Sequence, residues 1–388
     1  MRVLLICSRF PWPPWRGNQV RTVQWAEALR EHEVRLVCPA VPADTIPARN
    51  VPVKPIRRSR SATGLGLLRA ALDGRPLQEG LYDSPDARRA VASAVREHEP
   101  DVVVVQMVRC AWAFEAAREV APSVPVIFDA IDAMGLHFER AAPSSAPWMA
   151  PLYRAEARRC RRREAWLAHE ATLTVAVAER DLMELAVAQG RGRVVPVSGR
   201  AVGRCEPANA DPVVLLSGNL GYRPTVRAAL WFAREVWPDL RRRVPEARWV
   251  LAGARPPAAV RRLAGLPGVE VAGDVADLST YLARARAALA PMNLGSGVPL
   301  KVLEAMAAGV PVVAHPWAAD GLAREAAGAV IVADGSEAWV EALVRLLDDA
   351  VAARTQGELG REAWRRLYHP EVVADQIRAI VVEAAVSR

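Results

Sequence analysis

The stretch AALAPMNLGSGVPLKVLEAMAAGVPVVAH, residues 287–315, holds a short apolar run, a Gly-Ser-Gly turn, a helix-forming segment and a second apolar run. That order predicts strand, tight turn, helix and strand, the repeating unit of a parallel sheet. Pro299 suits the start of the helix, because a first-turn N–H has no intrahelical partner to lose. Lys301 then falls in the first turn, where the helix dipole disfavours a cation unless an anion compensates it. Glu304 follows three residues later on the same side of the helix. The pair reads either as a surface ion pair or as a cation and a carboxylate facing a ligand. A diphosphate would answer Lys301, and two adjacent hydroxyls of a ribose would answer Glu304.

The same pattern repeats along the chain. Strands are expected at RVLLICS, EVRLVCP, DVVVVQ, PVIFDAI, ATLTVAV and RVVPV in the first half, and at VVLLSG, ARWVLAG, VEVAG, AALAPM, VPVVAH and AVIVAD in the second. These are continuous apolar runs, so helices should cover both faces of each sheet. One helix is expected over 225–243, with Val226, Leu230, Ala233 and Trp237 on its buried face. Another is expected over 336–349, capped by Ser336 and burying Trp339, Leu343 and Leu346. The segment VSGRAVGRCEPANADP lacks either periodicity and reads as a linker. The expected organisation is therefore an α/β domain over 1–197, a linker over 198–212, a second α/β domain over 213–368 and a final helix within 369–388. In doubly wound sheets ligands bind beyond the carboxyl ends of the strands, which directs attention to the loops that follow them.

Bulk properties agree with two folded domains. The chain has 388 residues, 52% apolar and 24% charged, too long for one ordinary core and too apolar for extended disorder. Its net charge of +8 favours anionic partners, but Lys54 and Lys301 are the only lysines, so an arginine bias dilutes the meaning of any arginine run. Five widely spaced cysteines form no paired motif, which argues against a disulfide framework or a thiolate metal site. With no long apolar segment, a cytoplasmic location is expected. No motif or aromatic-basic interleaving supports nucleic-acid binding.

Three further loops carry candidate chemistry. In SRFPWPPWRGNQVRTVQWAEALRE, residues 8–31, Gly17 and Asn18 precede a helix where backbone N–H groups can meet a phosphate, and Trp12 and Trp15 either line an acceptor pocket or cap the core. After VVLLSG, Gly218 and Asn219 lead to Arg223 at the next helix start, a cation suited to a diphosphate. Asp129 and Asp132 in VIFDAIDA follow a first-domain strand. Each is a candidate either to orient or deprotonate an acceptor hydroxyl or to serve in structural hydrogen bonding. The Arg-rich run 153–166 reads as a solvated helix face, with a weak peripheral contact to an acidic membrane as the alternative.

Residues 295–314 of the opening stretch, together with SGNLGYRPTVRAALWFAREVWPDL, PGVEVAGDVADLSTYLARA and RFPWPPWRGNQVRT, resemble retaining glycosyltransferases of family four, which have the GT-B fold of two facing Rossmann-like domains. The resemblance implies a nucleotide-sugar donor held by the second domain, with Glu304 on the ribose and Lys301 and Arg223 on the diphosphate. It also implies backbone contacts at Ser296, Gly297 and Val298, Gly273 to Val275 along the base, and Gly17 with Asn18 over the phosphates. The final helix, near 370–386, would cross back to the first domain. Trp15, Gln106, Asp129 and Asp132 fall on the acceptor side, and no metal or separate cofactor is implied. The sequence departs from the pattern at Ser296, where many members have a glutamate, at Pro299 and at Gln106, so the sugar end of the site stays unassigned. The implied reaction moves a sugar to the hydroxyl of a small molecule or glycan with retention. A sugar-nucleotide epimerase on the same fold and a non-catalytic nucleotide-sugar-binding subunit are the alternatives.

Overall fold

The computed structural model describes residues 1–387 apart from residues 15, 42–50, 58, 200–202, 204, 206–210, 276 and 294–297. The chain forms two compact units, Met1–Val197 with Val373–Arg388, and Ser198–Val372. Most of the expected linker, Trp15, Ser296 and Gly297 lie outside the described residues.

Unit 1 contains seven strands: β1 Arg2–Ile6, β2 Glu33–Pro39, β3 Val53–Ile56, β4 Val102–Gln106, β5 Val126–Ile131, β6 Leu173–Ala176 and β7 Gly192–Val194. They pair in parallel in the order β3-β2-β1-β4-β5-β6-β7. Central β4 and β5 are buried along their whole length, as continuous apolar runs require when helices cover both faces. The sequence reading did not include β3. Its Pro55 cannot donate to a ladder, and the strand survives because it lies at the sheet edge.

One polar tie crosses the core of unit 1. Arg21, on helix Gly17–Ala28, and Asp129, on β5, are both fully buried and form an ion pair, with Nε 3.1 Å from Oδ2. Gln106 donates to Asp129 Oδ2 at 2.9 Å and accepts from Thr22 Oγ1 at 2.6 Å, while Arg21 Nη1 donates to the Pro196 carbonyl at 3.1 Å. Helix, two central strands and the segment after β7 are thereby fastened at one point.

The Arg-rich run lies on helix Ala150–Glu170, where Arg154, Arg158 and Arg162 are exposed as a solvated face requires. Its glutamates are not on that face. Glu156 accepts from the backbone N–H groups of Leu77 and Gln78, and Glu164 accepts from those of Met134 and Gly135, so each caps the start of another helix. Burial pushes the Glu164 carboxyl up to about 7 against the pull of those two donors. The final helix, Pro370–Val386, packs Val373, Ile377, Ile380, Val381 and Ala384 into the same core as Val3, Leu5, Val34 and Leu36.

Unit 2 has β8 Val213–Asn219, β9 Arg248–Ala254, β10 Val269–Gly273, β11 Ala287–Ala290, β12 Val312–Ala314 and β13 Ile331–Val332, all parallel in the order β10-β9-β8-β11-β12-β13. The helix expected over 225–243 is two, Arg223–Glu235 and Trp237–Arg243, because Pro238 cannot continue a helix across the junction. Its first half buries Thr225, Ala228, Ala229 and Phe232 and leaves Leu230 exposed, a face rotated from the expected one. Helix Ser336–Asp348 buries Trp339, Leu343 and Leu346 as expected, but its N-cap is Gly335 at φ +80°, and Ser336 makes no capping bond.

Removing one partner of a buried ion pair strands the other charge. Asp129→Ala is therefore expected to cost about 3–5 kcal/mol, whereas the double variant Arg21→Met/Asp129→Leu loses much less. Denaturant titration of the three proteins checks the contrast.

Candidate functional site

Strand order reverses in unit 2 between β8 and β11, the place where a doubly wound sheet opens a crevice at its carboxyl edge. Most of the expected donor residues gather at that edge. Gly218 and Asn219 end β8, Gly273 ends β10 with Val275 just beyond, and Val298 precedes helix Leu300–Ala308, which carries Lys301 and Glu304. Arg223 opens helix Arg223–Glu235 and is exposed. Gly17 and Asn18 start the first helix of unit 1, which has no side-chain cap and no acidic residue in its first turn.

Glycine makes this edge possible. Gly218 sits at φ +107° and Gly253, its register partner on β9, at φ +151°. A Cβ on Gly253 would fall 1.7 Å from the Gly218 carbonyl oxygen, so no other residue fits. A Cβ on Gly218 would stand 3.6 Å from Lys301 Cε and 3.9 Å from its Nζ, which shows where the lysine points. Two non-glycine residues nearby also take positive φ, Arg255 at 52° and Asp274 at 54°. They are tied by a 2.7 Å bond from the Arg255 N–H to Asp274 Oδ1. Sequence reading included Asp274 within the range 273–275 but missed Gly253 and Arg255, since only strand pairing makes them neighbours.

Lys301 is the electrostatic anomaly. Its Nζ is buried and, among the described residues, has no hydrogen-bond partner. Burial lowers its pKa to about 8, and Glu304 raises it only in part. Helix Leu300–Ala308 has no acidic residue in its first turn to help. An unpaired cation at a helix N-terminus is what an anion site looks like before its anion arrives.

A cavity of about 490 Å³ opens along the same carboxyl edge of unit 2, against helix Arg223–Glu235 and the loops after β11, β12 and β13. Arg227, Trp231, Asn293 and His315 line it; Gly218, Lys301 and Glu304 do not. His315 Nδ1 accepts from the Trp317 N–H at 3.1 Å, and burial lowers its pKa despite Asp334.

In unit 1 the strand order reverses between β1 and β4. Of the expected acceptor-side residues, Asp129 and Gln106 are sealed in the Arg21 network at 0% and 1% exposure, so Asp129 takes the structural alternative and neither side chain is open to an acceptor. Asp132 differs. It follows Ile131, a β-branched residue at φ +62°, where the pairing of β5 with β6 slips by one residue. Burial, then Asp181, pushes the Asp132 carboxyl up to about 7 against the pull of Arg180 and Arg109. Among the described residues no helix is long and apolar enough to cross a membrane, and no group of three or more His, Cys, Asp or Glu is placed to hold a metal.

Two parallel α/β units of this construction, each with a reversal of strand order, have the GT-B fold. Residues 211–349 match the family described as Glycosyl transferases group 1, so unit 2 is a domain of that group. Sucrose-phosphate synthase from Thermosynechococcus elongatus superposes with a TM-score of 0.73 at 18% identity, covering 100% of this chain and 99% of that one. Anabaena HepE in complex with UDP and glucose gives 0.69 at 14% identity, covering 98% and 99%. The UDP-forming α,α-trehalose-phosphate synthase from Burkholderia vietnamiensis gives 0.67 at 14% identity, covering 100% and 98%. No curated protein matches the sequence.

A lysine whose pKa falls on folding costs stability wherever the unfolded chain holds it charged. The penalty is complete below about 8, shrinks as pH rises through that folded value, and is gone above the unfolded value of 10.5. Lys301→Met is accordingly expected to stabilise unit 2 by up to about 3 kcal/mol at pH 7, with the advantage fading by pH 10. Paired urea titrations at the two pH values read it directly.

Proposed function

We propose that the chain transfers a sugar from a nucleoside-diphosphate sugar to an acceptor hydroxyl, with the anomeric configuration retained. The observation that carries the donor is the buried, unpartnered Nζ of Lys301 above Gly218. A diphosphate supplies the missing counter-charge, and Arg223 at the next helix start adds a second cation. Glu304 accepts the ribose hydroxyls, Val298 offers a backbone N–H group, and Gly218, Asn219, Gly273 and Val275 leave room along the nucleotide. UDP in the HepE complex and the UDP-forming description of the trehalose-phosphate synthase favour uridine as the first base to test.

Chemically, the bond from the anomeric carbon to the diphosphate oxygen breaks while the acceptor oxygen bonds to the same face of that carbon. Lys301 and Arg223 stabilise the charge on the departing diphosphate. The acceptor proton passes to the departing phosphate oxygen. The acceptor is a small molecule or glycan.

The direct test is calorimetric titration with UDP, followed by incubation with UDP-glucose and candidate acceptors and NMR of the product's anomeric centre. Binding a dianion should return the proton that burial strips from Lys301, so UDP affinity is expected to fall as pH rises above about 8, and Lys301→Met should abolish that slope. At pH 7 the same variant should lose about ten-fold or more in affinity, the worth of one charge-assisted hydrogen bond, and Glu304→Ala should also weaken UDP. Wild-type titrations in both variants would refute the donor site. Release of UDP without acceptor, with a changed sugar nucleotide, would instead mark an epimerase, and an inverted product would refute retention.

A further inference from the structure

We infer that the cavity beside helix Arg223–Glu235 is a saccharide site separate from that of Lys301, with Trp231 against a pyranose ring and Arg227, Asn293, His315 and Asp334 on its hydroxyls. All five residues belong to unit 2, and none of them has a part in holding the donor nucleotide.

The two faces of the sheet set the cavity apart from Lys301. Helices Arg223–Glu235 and Ser336–Asp348 cover one face, where Ala229, Phe232, Trp339 and Leu343 share a core. Helix Leu300–Ala308 covers the other, with Val302, Leu303 and Met306 in a second core. Arg227 and Trp231 reach the cavity from the first of these helices, one turn apart. The strand ends supply the rest: Asn293 is the third residue after β11, His315 the first after β12 and Asp334 the second after β13. Its volume of about 490 Å³ lies within the range of small-molecule pockets, roughly 300–1,000 Å³.

The polar lining mixes donors with acceptors. Arg227 offers only donors, Asp334 only acceptors and Asn293 both. His315 Nδ1 accepts from the Trp317 N–H, so the proton of the neutral ring lies on Nε2, and burial favours that neutral ring. Nε2 stands 3.9 Å from Asp334 Oδ1, too far for a hydrogen bond between them. One hydroxyl between the two can accept from Nε2–H and donate to Oδ1. A phosphate, which only accepts, would meet Asp334 as a like charge. Trp231 provides an apolar surface beside these groups. It is half-buried, and its ring stands at 75° to that of fully buried Trp339 with centroids 6.0 Å apart, which holds it in place at the cavity wall. A pyranose presents the matching surfaces, an apolar C–H face and a rim of hydroxyls that both donate and accept.

The experiment saturates the full chain with UDP and titrates methyl α-glucoside, methyl α-galactoside and methyl α-mannoside, following each by saturation-transfer NMR. Saturable binding of at least one is expected. Its Kd should rise about ten-fold in Trp231→Ala and in Asp334→Asn. Circular dichroism certifies the folding of both variants; Asp334 is exposed, so Asp334→Asn alone decides the matter where Trp231→Ala has lost its fold. Replacing UDP by UDP-glucose separates the two sources of a sugar ring. A pyranoside that stays bound upholds a separate site, and one displaced by UDP-glucose occupies the donor's own sugar position and overturns it. Binding by none of the three, binding unchanged in a folded variant, or displacement by inorganic phosphate also overturns it. Pyranoside binding that depends on Trp231 and Asp334 in a chain that fails to bind UDP would defeat the donor reading and leave this one standing.

Discussion

The pairing of Arg21 with Asp129 is the constraint on which the edge of unit 1 depends. A buried charge pair of this kind adds little net stability over an apolar replacement, but it tolerates only one arrangement of its partners. Here those partners are a helix, two central strands and the backbone at Pro196. Because the helix begins at Gly17, fixing Arg21 also fixes the direction in which Arg16 and the uncapped N–H groups face. The network is closed, with donor matched to acceptor throughout, and that closure is why it is inert.

Lys301 is the opposite case, a charge kept unpaired in a setting equally short of water. Each unit thus has a reversal of strand order with cations beside it, yet the two edges differ in kind. That of unit 2 is glycine-lined and carries one lysine, which allows close approach of a backbone to a ligand. That of unit 1 holds the Asp132 carboxyl, which burial and Asp181 push up to about 7.

Much of this architecture is legible in the sequence because parallel strands buried on both faces must read as continuous apolar runs, as RVLLI, VVVVQ, VIFDAI and AALA do, while the proline-bearing edge strand does not. Lys301 is legible for a related reason: a lone lysine placed against a helix dipole asks for an explanation that position alone supplies. The burial of Asp129 is not legible, because Arg21 lies 108 residues away in the chain and only folding shows that the two meet. The same holds for Gly253, whose need to be glycine comes from the carbonyl of Gly218 on the neighbouring strand. Periodicity misplaced the buried face of helix Arg223–Glu235 because it was read through Trp237, across a break that Pro238 imposes. Glu156 and Glu164 look like solvent-facing members of a charged run, and only the helix starts packed against them reveal their use as caps.

The final helix has a consequence for how the molecule comes into being. Unit 1 draws Val373, Ile377, Ile380, Val381 and Ala384 into its core, so this unit is discontinuous in sequence while unit 2 is not. During synthesis the residues up to 197 leave the ribosome with one apolar groove uncovered, and unit 2 is complete before the segment that fills it has been made. Unit 2 is then the piece able to reach its native state first, and the earliest-made strands wait for the latest-made helix. A chaperone that shields exposed valine and leucine would find its longest-lived target in the first half of this protein, which is the half that emerges first.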